Sequence, residues 1–104
     1  MSSSWHGLSA GQLDAIAHVL VKFPVVERAL LYGSRAMGKH RAGSDIDLTL
    51  VGDIDLRLLN EIDLALDDLL LPYTFDLSVY RLIDNQALKE HIDSVGIEIY
   101  SSQD

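Results

Sequence analysis

The sequence has no cysteine, which excludes disulfides, thiolate catalysis and cysteine-held zinc and makes a reducing cytoplasm the expected setting. Basic residues are scarce: eight lysines and arginines stand against sixteen aspartates and glutamates, for a formal charge of -8. Such a surface repels polyphosphate backbones, so no direct nucleic-acid binding is expected, whereas bound divalent cations or a basic partner would relieve the self-repulsion. Long hydrophobic runs are also lacking. Apolar stretches such as Leu69–Pro72 fall far short of the ~20 residues that span a bilayer, so no membrane contact is expected. The start, Met1-Ser2-Ser3-Ser4-Trp5-His6, has no basic stretch followed by an apolar one, and therefore does not read as a secretory signal. Internal repeats and low-complexity tracts are missing.

What remains is a chain of 104 residues, 48% hydrophobic and 23% charged, enough for one ordinary core and read as a single domain over residues 1–104. Ser9 with Gln12 three residues on resembles a capping box, and Leu13, Ile16, Ala17, Leu20 and Val21 then recur at helical spacing. The expectation is a helix from Ala10 to Lys22, ended by Pro24. Val25–Tyr32 reads as a strand stopping at Gly33, and Ser34–Gly38 as one or two helical turns before a polar loop through Ser44. From Asp45 to Val51, Ile46, Leu48 and Leu50 alternate with Asp45, Asp47 and Thr49, the period of a two-faced strand. Leu56–Leu71 carries a helical stripe of Leu58, Leu59, Ile62, Leu66, Leu69 and Leu70, closed by Pro72. Phe75–Tyr80 alternates again as a strand. A last helix is expected over Asn85–Val95, opened by Asp84 or Asn85 and closed at Gly96, with Ile97–Tyr100 as an edge strand. The order predicts an α/β (α+β) fold: a small sheet flanked by helices.

The chemistry lies in the acids of the alternating strands. Asp45 and Asp47, two apart, project from one strand face, where two carboxylates repel each other unless water or a hard divalent cation intervenes. A bare Asp-x-Asp is by itself most often a solvated face, and Gly33-Ser34 by itself only a turn. Gly-Ser after an apolar strand, however, lets backbone approach a ligand, and the serine hydroxyl and following amides can bind phosphate. Asp76 adds a third carboxylate inside an apolar strand, where an acid is costly unless paired or metal-bound. Together these residues form a candidate two-metal phosphoryl-transfer site. The histidines His6, His18, His40 and His91 share no metal-ligand spacing and read as surface residues. Trp5 reads as a packing anchor. The acids Asp53, Asp55, Glu61, Asp63, Asp67 and Asp68 belong to a helix start or outer face.

Gly33-Ser34, ten intervening residues and Asp45-Ile46-Asp47 resemble the signature of the DNA polymerase beta-like nucleotidyltransferase superfamily. Tyr32 through Lys39, Ser44 through Leu48, Asp76 and the ending Gly96-Ile97-Glu98-Ile99-Tyr100 are similar to its minimal branch, the MNT family of HEPN/MNT toxin–antitoxin pairs. The resemblance covers nearly the whole chain. It implies a nucleotidyltransferase fold with a short mixed sheet, and transfer of AMP from ATP to a hydroxyl with two Mg2+ ions. On that basis Asp45, Asp47 and Asp76 are the catalytic and metal-binding residues, Asp76 acting on the ion beside the attacking hydroxyl as ligand or general base. Gly33, Ser34, Arg35 and Lys39 would be the nucleotide-binding residues.

Larger members of that superfamily carry an acceptor-binding domain, for which this chain has no room. The resemblance therefore implies a hetero-oligomer with a HEPN-type toxin, the chain acting as antitoxin by adding AMP to a tyrosine of its partner. Two other readings stand beside it: a non-catalytic binding module, and a small-molecule adenylyltransferase of the aminoglycoside-modifying type that needs a partner subunit.

Overall fold

A reciprocal cap opens the first long helix. In the computed structural model, which describes residues 4–5, 8–38 and 45–102, a short hairpin of β1 (Ser4–Trp5) and β2 (Leu8–Ser9) leads into α1 (Ala10–Leu20). Ser9 Oγ accepts the Gln12 N–H at 3.1 Å and Gln12 Oε1 accepts the Ser9 N–H at 3.0 Å, the two halves of a capping box. The helix ends at Leu20 rather than Lys22. Val21 is its cap and is exposed, and Lys22 N–H tightens onto Val19 O at 3.1 Å. Pro24 keeps Phe23 out of the helical region, and the residues between Leu20 and Phe23 close the helix in a tightened turn, Phe23 N–H reaching Leu20 O at 3.0 Å. The two-residue strands of the hairpin are too short to leave a readable alternation.

The chain continues as β3 (Val26–Tyr32), α2 (Gly33–Ala36), β4 (Ile46–Gly52), α3 (Leu56–Asp67), β5 (Phe75–Val79), a 3-10 turn (Tyr80–Leu82), α4 (Gln86–Val95) and β6 (Ile97–Ser101). Each strand follows the alternation of its residues, and the α3 and α4 starts are capped by side chains. Asp55 accepts the Leu58 N–H at 2.8 Å, and Asn85, rather than Asp84, accepts the Leu88 N–H at 3.1 Å. The third helix is shorter than its leucine stripe predicts. It ends at Asp67, and Leu70 sits at φ 56 with 87% of its surface exposed. A left-handed residue cannot continue a helix, and Asp67 and Asp68 place negative charge on the negative end of the helix dipole. Tyr80 likewise leaves the predicted strand and begins the 3-10 turn.

The four-stranded sheet has the order β5-β4-β3-β6; β4 and β5 are parallel, and the other neighbours antiparallel. It is a mixed sheet with helices on both faces. One face presents Ala29, Leu50 and Val79 to Ile16, Val19 and Leu20 of α1 and Ile62 and Leu66 of α3, while Leu31, Ile46 and Leu48 form a second cluster with Leu8; the two make the core. Each such fully buried side chain contributes about 1.5–3 kcal/mol relative to exposure. The other face carries the aspartates and is covered in part by α2 and α4. No helix among the described residues is long and apolar enough to cross a membrane.

Candidate active site

The polar face of the sheet is assembled by strand register. In the parallel ladder Asp47 stands opposite Asp76, and in the antiparallel ladder Tyr32 stands opposite Asp47. Paired residues of adjacent strands project from the same face, so Tyr32, Asp47 and Asp76 form a row across β3, β4 and β5. Asp45 lies just outside β4, two residues before Asp47, and is exposed. The carboxylates are near enough to sense one another. Burial pushes the Asp47 carboxyl above its usual range, and the charges of Asp76 and then Asp45 push it further, against a smaller opposite effect of the Arg35 charge. Burial, with the charges of Asp47 and Asp76, also raises the Tyr32 phenol.

Gly33 closes one side of this row. Its backbone adopts φ 77, and a Cβ built there would collide with the Asp47 carboxylate. Any other residue would be both strained and in the way; the sequence signal for close backbone approach therefore has a physical object, an aspartate of the same site. Ser34 follows, half-buried, in the turn of α2. Arg35 belongs to the same turn but not to the solvent: it is 1% exposed, with its guanidinium 4.5 Å from the centroid of the Tyr73 ring. Buried there, its charge acts on Asp47. Lys39, expected beside the phosphates, lies outside the described residues, as do His40, Arg41, His6 and the side chain of Trp5.

A residue read from the sequence as a surface histidine belongs to this neighbourhood. His91 of α4 is half-buried; its Nε2 accepts the Gly33 N–H at 3.1 Å, and its ring meets that of Tyr32 edge-on, with centroids 6.1 Å apart. The signal for it was periodicity. Leu88, Ile92 and Val95 form the inner stripe of α4, and His91, three residues after Leu88 and one before Ile92, flanks that stripe on the sheet side. His18, by contrast, is exposed. Further along the same face, beyond fully buried Thr49, a cleft of about 290 Å³ lies among Arg28, Leu30, Val51, Tyr80, Ile92 and Asp93. Its far end at Val51 is four residues from Asp47, roughly 13 Å along the strand, while Leu30 at its near end is two residues from Tyr32 of the row.

Asp45, Asp47 and Asp76 offer only oxygen donors, the kind magnesium takes, and the raised Asp47 pKa marks a face that a divalent cation would relieve. Among the described residues no three His, Cys, Asp or Glu side chains are grouped tightly enough to cage an ion unaided. Magnesium asks for less: it keeps several waters and takes one or two carboxylates together with substrate phosphates. The donor set fits on those terms.

Comparison with known proteins bears on the fold that carries this site. No curated protein sequence matches the chain significantly. A chain from a toxin–antitoxin crystal structure with AMP-PNP superimposes with a TM-score of 0.72 at 22% identity, over 88% of this chain and 74% of that one. A chain from the complex of tri-AMPylated Shewanella oneidensis HEPN toxin with MNT antitoxin gives a TM-score of 0.66 at 20% identity, covering 88% and 71%. A chain of the MntA–HepT toxin–antitoxin also gives 0.66 at 20% identity, covering 88% and 72%. At such identities the shared feature is the fold. The family model "Polymerase beta, Nucleotidyltransferase" matches residues 14–104, and with β3, the Gly33–Ala36 turn, β4 and β5 all inside that match, the chain belongs to the polymerase beta nucleotidyltransferase family.

Proposed function

We propose that this chain is a magnesium-dependent nucleotidyltransferase that moves AMP from ATP to a hydroxyl, a tyrosine of a HEPN-type toxin, and thereby acts as its antitoxin. The observation that carries the reading is the row of Asp47 and Asp76 in register across β4 and β5, with Asp45 two residues before and Gly33 pressed against Asp47. Family membership supports the reaction class. The fold shared with an MNT antitoxin bound to an AMPylated HEPN toxin, and with a toxin–antitoxin bound to AMP-PNP, supports the partner and the nucleotide.

In this reading the hydroxyl oxygen attacks the α-phosphorus of ATP, the bond to the β-phosphate oxygen breaks, and pyrophosphate leaves with the electron pair. Asp45, Asp47 and Asp76 would hold magnesium, which when bound lowers the pKa of a coordinated hydroxyl and neutralises charge growing on the leaving group. Asp76 is exposed on the edge strand, and we assign it the incoming side, where its carboxylate takes the hydroxyl proton or passes it to water. Ser34 and the α2 turn bind the triphosphate. Buried Arg35 stiffens that turn against Tyr73 and keeps a positive charge behind Asp47.

The test is incubation of the chain with labelled ATP, magnesium and a HEPN-type partner, followed by mass analysis of both proteins. Label and a mass gain of one AMP group on a partner tyrosine are expected. A stable complex with no label would replace the enzyme by a binding module. Transfer to a small alcohol in the absence of any protein partner would make it a small-molecule transferase.

A further inference from the structure

A glycine's backbone is free to take either sign of φ, so a glycine held at φ 77 against a catalytic carboxylate needs something outside itself to hold it there. The Gly33 N–H opens α2, and the first N–H groups of a helix have no partner within it. Here the partner comes from 58 residues away, as His91 Nε2 at 3.1 Å. To accept, that nitrogen must carry a lone pair, so the ring proton is on Nδ1. The imidazole is itself fixed: Ile92, the next residue, is 1% exposed beneath α4, α4 is capped by Asn85, and the Tyr32 ring crosses the imidazole at 77°.

We propose that His91 is a positioning residue of the triphosphate site: it takes the Gly33 amide out of circulation and fixes the Gly33 Cα as the wall against which the Asp47 carboxylate is set. Gly33 then serves the site through its missing side chain, and the phosphate-binding donors are those that follow it, beginning with Ser34. Losing the His91 acceptor leaves a permissive residue untethered beside Asp47. Its effect belongs to turnover more than to nucleotide affinity, because misplacing a reacting group by about 1 Å costs on the order of 100-fold. The inference rests on the nucleotidyltransferase reading for its functional half, and on the Gly33 hydrogen bond for its structural half.

The experiment compares His91→Phe, which keeps a ring against Tyr32 but has no acceptor, with His91→Gln, whose Oε1 reaches the same place without a ring. His91→Leu replaces the former should the phenyl ring fail to fit. Two readouts are taken on folded protein: the Gly33 amide resonance with its hydrogen-exchange protection, and kcat and KM for ATP in transfer to the partner. The expected result is loss of Gly33 amide protection and a kcat drop of at least about tenfold in His91→Phe, with KM changed far less. In His91→Gln both should return to near the wild-type values. Wild-type turnover in His91→Phe, equal damage in both variants, or a Gly33 amide unchanged by His91→Phe would each overturn the inference. Should the wild-type chain transfer no nucleotide at all, the functional reading falls, and the Gly33 amide alone decides whether His91 holds the turn.

Discussion

The carboxylate of Asp47 occupies the space that a side chain on Gly33 would need. This single relationship joins the end of β3 to the start of β4 and makes the turn and the acid one object. Gly33→Ala adds a methyl group into the carboxylate at a left-handed φ, which alone costs a residue with a Cβ about 1–2 kcal/mol. Gly38 supplies the control: its φ is 73, but among the described residues nothing lies within 4 Å of a Cβ built there. Gly38→Ala should therefore show the backbone cost alone and nearly normal transfer. Gly33→Ala should melt lower still and lose on the order of 100-fold in transfer rate. Thermal melts and transfer rates of the two variants, side by side, check this.

Asp47→Asn should abolish transfer and yet stabilise the fold. The Asp47 pKa is raised in the folded chain, by burial first and by Asp76 and Asp45 next. An acid with a raised folded-state pKa binds its proton more tightly when folded. Its contribution favours folding at pH below the ordinary value of 3.8 and is lost as pH rises through the higher folded value. At pH 7 the wild type therefore carries a penalty that asparagine removes. The variant should melt higher than wild type at pH 7, with the gap closing as the pH falls toward and below 3.8. Magnesium should raise the melting temperature of the wild type more than that of the variant. A melt series against pH, with and without magnesium, measures both.

Asp76→Asn separates two roles for the edge-strand acid. Asp76 is exposed while Asp47 is half-buried, which suits Asp76 to an acceptor arriving from solvent. Its amide should slow single-turnover transfer far more than it weakens triphosphate binding. If binding weakened and the rate at saturation held, Asp76 would belong to the nucleotide side instead. Titration calorimetry with ATP and magnesium, beside rapid-quench kinetics, distinguishes the two.

How much of this the sequence carried depends on the range of the interactions. Period-two alternation sets Ile46, Leu48 and Leu50 on one face and Asp47 and Thr49 on the other, and the structure keeps that division. The Ser9–Gln12 cap is a local signal and was equally readable. Where the chain competes with itself the signal weakens. The leucine stripe through Leu70 predicts four and a half turns of helix, and a left-handed Leu70 ends it early. Arg35, expected with Lys39 at the phosphates, is buried under Tyr73, 38 residues away; His91 reaches Gly33 across 58. Nothing local announces such pairings, because they are made by the sheet order β5-β4-β3-β6 and the return of α4 across its polar face.

That early helix end yields a stability prediction independent of the chemistry. Leu70 is 87% exposed at φ 56, so its side chain gains little from burial while its backbone sits where only glycine is at ease. Leu70→Gly relieves the left-handed strain but also frees the unfolded chain, and the net gain should be about 0.5–1 kcal/mol. Leu70→Ala keeps the Cβ and should gain nothing. Urea unfolding of both variants tests the assignment, with equal midpoints counting against it.

The caps of α3 and α4 offer the last comparison, since they are chemically alike but differ in what their helices carry. Asp55→Ala and Asn85→Ala each remove one side-chain acceptor from a helix start, at about 1 kcal/mol apiece. Helix α3 packs its buried Ile62 and Leu66 on the apolar face, away from the acids. Helix α4 brings His91 to Gly33. Equal losses of stability should therefore be accompanied by unequal losses of function: nearly normal transfer in Asp55→Ala, and slowed transfer with weakened Gly33 amide protection in Asn85→Ala. Matching transfer rates in two equally destabilised variants would mean that α4 anchors the site no more than α3 does, and that the Gly33 turn holds its shape without help from the helix above it.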